Sequence, residues 1–222
     1  LNPESPVVRG TAQNPDIFFQ NREAANTYYN NLPGIIVDYM DQVSKVTGRE
    51  YKPFKYYGDP EATDVVIAMG SVTEALEETV DYLNLQGKKT GVVKIHLYRP
   101  FVKEFFLKAL PKTVKRIAIL DRTKEPGAEG EPLYQEIRSI FCGVCDAPLI
   151  IGGRYGLGSK DVNPTHLKGV FDNLEGEQKD GFTLSIVDDV TFTSLPQGEK
   201  VHSAPETTIN CKFWGLGSDG TV

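Results

Sequence analysis

The sequence predicts an α/β protein, a three-layer α/β/α sandwich on a mostly parallel five-stranded sheet, with an N-terminal arm and helix and a C-terminal extension. Three observations predict it. Between Asp64 and Val187, short apolar runs alternate with stretches whose apolar residues recur at helical spacing. The runs are apolar nearly throughout rather than at every second position, as strands covered on both faces must be. Capping residues and prolines stand where helices should open, and alternation at this spacing implies right-handed crossovers onto a parallel sheet.

The elements follow in order. Leu1 to about Asn21 has prolines at 3, 6 and 15 and no sustained period, so it reads as an irregular arm against a neighbour. Ile36, Tyr39, Met40 and Val43 then fall on one helix face, and Gly48 supplies a stop. Residues 49 to 62 show neither period and read as a connector. Val65–Met69 is the first strand; Leu76, Val80 and Leu83 mark the helix after it, opened by Ser71-Val72-Thr73-Glu74 as a capping box. Gly91–Leu97 is the second strand, with Pro100 in the first turn of a helix lined by Phe101, Phe105 and Ala109. Arg116–Leu120 is the third strand, a Gly/Glu/Pro loop spans 123 to 132, and Leu133, Ile137, Ile140 and Phe141 line the next helix. Leu149–Ile151 and Thr183–Val187 bracket a last helix striped by Leu167, Val170, Phe171 and Leu174, with Asn163-Pro164 as cap and first turn. Residues 208 to 214 alternate as one more strand belonging to another unit.

Composition narrows the function classes. The 222 residues are 40% hydrophobic, with 24 basic and 30 acidic residues for a formal charge of -6. That charge repels a polyphosphate backbone, so no nucleic acid is expected, and the apolar runs are too short to cross a bilayer. Three cysteines and no secretory leader point to a reducing, cytoplasmic setting. The chain opens at Leu1 without methionine and stops inside a glycine motif, which reads as an internal piece of a longer polypeptide.

Four features invite a chemical reading. Gly215-Leu216-Gly217-Ser218-Asp219-Gly220 matches G-x-G-x-x-G after a strand-like run, so Gly217, Ser218, Asp219 and Gly220 form either a phosphate-contacting turn or simply a tight one. The loop Gly152 to Asp161 holds Arg154 and Lys160 among glycines and reads as a turn packed on a neighbouring domain rather than a ligand site. Cys142-Gly143-Val144-Cys145 has redox or metal spacing. Yet Cys211 and the histidines 96, 166 and 202 are dispersed, so the pair reads as buried thiols at a helix end. Asp121-Arg122, Glu129 to Glu131 and Asp188-Asp189 read as solvated loop charges or local ion pairs. No catalytic residue and no metal ligand are assigned.

Five ordered strings carry a family resemblance: Arg9-Gly10-Thr11-Ala12-Gln13-Asn14-Pro15-Asp16, Leu97-Tyr98-Arg99-Pro100-Phe101, Asp121-Arg122-Thr123-Lys124-Glu125-Pro126-Gly127-Ala128, Gly153-Arg154-Tyr155-Gly156-Leu157-Gly158-Ser159-Lys160-Asp161 and Phe213-Trp214-Gly215-Leu216-Gly217. Together they resemble the pyruvate:ferredoxin (flavodoxin) oxidoreductases from end to end. The resemblance implies that residues 1–50 close a pyrimidine-binding domain, that 51–200 form a domain like the C-terminal domain of transketolase (domain II), and that 201–222 begin a coenzyme A-associated domain. It implies a parent enzyme, homodimeric and cytoplasmic, that uses thiamine diphosphate, Mg and [4Fe–4S] clusters. That enzyme converts pyruvate and coenzyme A to acetyl-coenzyme A and CO2 and passes electrons to ferredoxin or flavodoxin. No cofactor is expected on this segment, which would be inactive alone and serve to position its neighbours. Gly217 to Gly220 become candidates for coenzyme A contact. Arg9, Thr11, Gln13, Asn14, Gly153, Arg154, Tyr155, Lys160 and Asp161 become candidates for contact with other domains of the polypeptide. A stand-alone coenzyme A or nucleotide-binding module, and a C-x-x-C redox enzyme, are the competing readings.

Overall fold

The computed structural model describes residues 3–5, 13–204, 207–209 and 211–215. Two helices come first, α1 (Pro15–Ala24) and α2 (Asn26–Thr47), followed by β1 (Phe54–Gly58), β2 (Asp64–Ala68), α3 (Val72–Leu85) and β3 (Thr90–Ile95). Then come α4 (Lys103–Ala109), β4 (Arg116–Asp121), α5 (Pro132–Ile140), β5 (Leu149–Tyr155), α6 (Pro164–Glu175) and β6 (Phe182–Leu184). Among the described residues the sheet has six strands in the order β1-β3-β2-β4-β5-β6, all parallel except β1, which runs antiparallel to β3.

Apolar strands fill two cores because successive side chains point to opposite faces. Val66, Ala68, Ala118 and Leu120 meet α3 and α6 on one face, while Val65, Ile67, Ile117 and Ile119 meet α4 and α5 on the other. At the amino ends of β2 and β4, buried Asp64 takes a two-point contact from Arg116, with Nη2 to Oδ2 at 2.7 Å. The five expected strands and the four helices among them are all present.

Several expectations need correction. The arm is helical from Pro15, and the helix expected around Ile36 starts ten residues earlier at Asn26, carrying Pro33 in its interior; Gly48 ends it at φ 69°. The presumed connector contains β1, whose aromatic side chains compensate for the flanking Pro53 and the glycine at its end: Phe54 and Tyr56 pack on one core, Tyr57 on the other. No capping box forms at Ser71, because that residue is already helical (φ -63°, ψ -25°); Thr73 instead donates its amide and hydroxyl to the Gly70 carbonyl. Pro100 precedes α4 after a cis peptide, and Phe101 lies outside the helix, 5.0 Å from the Phe54 ring. Residues 207–209 and 211–215 form no strand; without a neighbouring ladder Ile209, Phe213 and Trp214 stand exposed.

The crossovers also depart from a single hand. From β4 to β5 to β6 the chain steps the same way across the sheet, yet α5 and α6 lie on opposite faces. The β5–α6–β6 connection therefore has the opposite hand to the other three. The chain changes face at Gly156 and Gly158, which take left-handed conformations (φ 66° and 64°) around a short 3-10 turn, Leu157–Ser159.

Candidate functional site

A parallel sheet whose first crossover goes one way and whose second goes the other leaves a gap at the carboxyl ends of the two strands that part, and this is where α/β sheets take ligands. Here the parting strands are β2 and β4. A crevice of about 510 Å3 lies above them, lined by the turn after β2 (Met69, Gly70, Ser71), the end of β4 and the turn after it (Asp121, Arg122, Thr123) and the rings of Tyr98 and Tyr155.

Each group is held by local chemistry. Gly70 sits at φ 82° with nothing within 4 Å of where a Cβ would be, so the turn after β2 is open on that side. Asp121 ends β4 and is buried; its two oxygens accept from the Leu133 and Tyr134 amides at 3.1 Å, closing the start of α5. Burial pushes its carboxyl above the ordinary value, and the nearby Glu131 charge adds to this, against the lowering effect of those two amides. Tyr155 is buried, donates its hydroxyl to the Met69 carbonyl at 3.1 Å, and has its pKa raised by desolvation. Arg122 is exposed, its Nε on the Gly156 carbonyl at 3.3 Å, with its terminal guanidinium nitrogens unengaged by described residues.

The candidates from sequence are scattered. Gly217, Ser218, Asp219, Gly220, Arg9 and Thr11 lie outside the described residues. Gln13 and Asn14 are exposed, the Asn14 carbonyl receiving the first amides of α1. Gly153, Arg154 and Tyr155 belong to β5 rather than to a loop; Gly153 and Arg154 are committed to internal packing, and Tyr155 walls the crevice. A Cβ on Gly153 would fall 2.1 Å from the Phe182 ring, and Arg154 donates to Glu131 at 2.7 Å and to the Gly181 carbonyl at 2.9 Å. Lys160 and Asp161 are exposed at the turn where the chain changes face. Cys142 and Cys145 are exposed, not buried, because α5 ends before them at Ile140. Among the described residues, no group of three or more His, Cys, Asp or Glu side chains is placed to hold a metal ion.

Three acidic residues read as solvated loop charges or local ion pairs have structural duties, and Glu131 forms one of the ion pairs so read. Asp121 caps α5; Glu131 is buried against Arg154; Asp188 accepts from the Val190, Thr191 and Thr193 amides and from both threonine hydroxyls, and the Thr193 hydroxyl first, with the other Thr191 and Thr193 groups, holds its carboxyl far below the usual range. The crevice itself escaped sequence reading. The available signal was position: Gly70-Ser71 comes one residue after a buried strand and Asp121-Arg122 straddles the end of another.

The remaining surface of note is the α1–α2 pair. Neither helix has a buried residue, and Phe19 (65%), Tyr28 (75%), Tyr39 (64%) and Val46 (87%) are open to solvent. No helix among the described residues is long and apolar enough to cross a membrane.

Residues 62–167 match the family model described as pyruvate:ferredoxin oxidoreductase core domain II. Over its whole length the chain is 56% identical to the pyruvate-flavodoxin oxidoreductase of Enterobacter agglomerans and 56% identical to the pyruvate:ferredoxin oxidoreductase of Moorella thermoacetica, spanning 19% of each. It is 50% identical to the mitochondrial pyruvate dehydrogenase [NADP(+)] of Euglena gracilis, spanning 12% of that protein. A solved 2-oxoglutarate:ferredoxin oxidoreductase from Magnetococcus marinus is 17% identical with a TM-score of 0.39, the match covering 62% of this chain and 21% of that one.

Proposed function

Because the chain belongs to the pyruvate:ferredoxin (flavodoxin) oxidoreductase family and carries its core domain II, we propose that it is a positioning block within a longer pyruvate-oxidising polypeptide. In that polypeptide pyruvate loses CO2 on thiamine diphosphate, electrons leave through [4Fe–4S] clusters to ferredoxin or flavodoxin, and the acyl group passes to coenzyme A. The chain has three cysteines, one fewer than the four thiolates a [4Fe–4S] cluster takes, and two of them are the exposed Cys142 and Cys145. On this reading the clusters and the thiamine site lie on other parts of the polypeptide.

The observation that carries this reading is the apolar face of α1 and α2. A folded unit gains nothing by holding Phe18, Phe19, Tyr28 and Tyr29 in water, and an apolar patch of this kind marks a surface that another unit covers. The family match makes that unit another segment of the same polypeptide, and the rigid two-core sheet behind the helices supplies a fixed frame for it.

The test places Phe19→Asp and Tyr28→Asp together in the full-length polypeptide and, separately, in this chain alone. Pyruvate-dependent reduction of a viologen acceptor by the full-length variant should fall at least about tenfold, as expected when anchors of a docked face are charged, while the chain alone keeps its melting temperature. Unchanged turnover by the full-length variant would sink the proposal, as would tight calorimetric binding of thiamine diphosphate by the isolated chain.

A further inference from the structure

We propose that the crevice between β2 and β4 is a binding site for a small anion carried on a flat ring, a ligand that the positioning role neither needs nor supplies. Its volume, about 510 Å3, lies within the roughly 300–1,000 Å3 of ordinary small-molecule sites. It is a gap that the topology makes, above the two strands from which the chain departs in opposite directions.

The walls select the body of the ligand. Met69, Tyr98, Leu120, Pro132 and Tyr155 present a lining that is mainly apolar and in part aromatic, which favours a ring over a flexible chain. The Tyr155 ring is fixed, since its hydroxyl is bound to the Met69 carbonyl and its edge is buried in the core behind. Tyr98 is held from outside by Arg99, whose guanidinium stacks 4.1 Å from the ring centroid and is itself paired with Glu136 at 2.8 Å. Both surfaces are therefore in place before anything binds, which lowers the ordering cost of binding.

The mouth selects the sign of the charge. Arg122 is anchored through Nε, so its terminal nitrogens are available to a carboxylate or phosphate in a fixed orientation. Across from it Ser71 makes no side-chain capping bond and Gly70 leaves its side open, so hydroxyl and backbone can approach the same anion. Among the described residues the lone carboxylate of the lining, Asp121, already accepts two amides from α5, so it neither binds a cation in the crevice nor faces an incoming anion unscreened. A cation would meet the Arg122 charge, and a purely apolar ligand would leave it unused.

Phenyl phosphate is the probe, with inorganic phosphate and phenol as its two halves, and amide NMR signals of the full 222-residue chain as the readout. Phenyl phosphate should shift Gly70, Ser71, Arg122 and Thr123 saturably in the millimolar range or tighter, with each half at least about tenfold weaker. Arg122→Gln and Ser71→Glu should each weaken binding about tenfold; the second places a carboxylate where the anion would lie yet suits the start of α3, so the fold survives. Failure to saturate, equal affinity for inorganic phosphate and phenyl phosphate, shifts centred elsewhere, or undiminished binding by both variants would each overturn the proposal. Because binding is read on the chain alone, the result is independent of turnover by the longer polypeptide.

Discussion

Asp121 shows how a residue's chemistry follows from its place rather than its type. A carboxylate at the carboxyl end of a buried strand loses water, which raises its pKa, and takes two α5 amides, which only partly offset that loss. The sign of the pH effect follows. A carboxyl whose folded pKa is raised binds its proton more tightly in the folded state, so its stabilisation is full below the unfolded value near 3.9 and is lost as pH rises through the folded value. Melting temperature measured against pH should therefore show wild type gaining most over Asp121→Asn at low pH, the difference narrowing as pH rises. Asp188 works the other way. Its carboxyl is held low by the Thr193 hydroxyl and by the amides of Thr191 and Thr193, so the loop order it supports persists below the ordinary carboxylate range and fails only in stronger acid. In Asp188→Ala the amides of Val190, Thr191 and Thr193 should exchange hydrogen markedly faster, with the β2 and β4 amides unchanged. Ser185 is a third local case: it follows β6 in the left-handed region at φ 62°, and its hydroxyl is buried without a hydrogen-bond partner among the described residues. Replacing it with glycine relieves both faults and should stabilise the chain by about 1 kcal/mol in a urea titration.

At the scale of elements, β5 and its neighbours α5 and β6 explain why a glycine-rich string reads as a loop in the sequence. Gly152 and Gly153 are strand residues whose missing side chains make room for rings: Tyr134 stands 2.6 Å from a Cβ built on the first, and Phe182 closer still on the second. A turn and a close-packed strand demand the same residue type, and only the partner element tells them apart. Gly153→Ala should cost about 1–3 kcal/mol by overpacking, read as a lower urea midpoint with unchanged slope. The Asn163-Pro164 start of α6 was legible because its chemistry is local: the Asn163 side chain accepts from the His166 amide at 3.2 Å, and His166 Nδ1 receives the Asn163 amide at 3.3 Å. Ser71 looked equally well suited and failed, since the chain enters α3 already turned and leaves its hydroxyl to the crevice.

Across the whole molecule the two parts differ in how they are held. The sheet and helices α3 to α6 enclose two cores, whereas α1 and α2 contain no buried residue; Val37, Met40 and Asp41 of α2 line a cleft with β1 and α4, and the Ser44 hydroxyl receives the Tyr51 amide at 3.0 Å. Native-state hydrogen exchange should accordingly show residues 15–47 opening at a small fraction of the free energy that protects β2 and β4. Contact between these helices and another segment, as proposed, would raise their protection in the longer polypeptide and leave the sheet as it was.

The alternation of buried strands with striped helices, and so the α/β sandwich, was already written in the order of residues, because burial on both faces of a strand and on one stripe of a helix leaves a periodic mark in the chain. Family membership was legible too, in strings such as Asp121 to Ala128. Strand order, the antiparallel edge at β1, the reversed hand of the last crossover and the crevice they frame were settled only in three dimensions. Each depends on which segments become neighbours after the chain has crossed the sheet, and the residues that meet there, Gly70 with Arg122 or Gly153 with Phe182, are too far apart in sequence for any local pattern to join them.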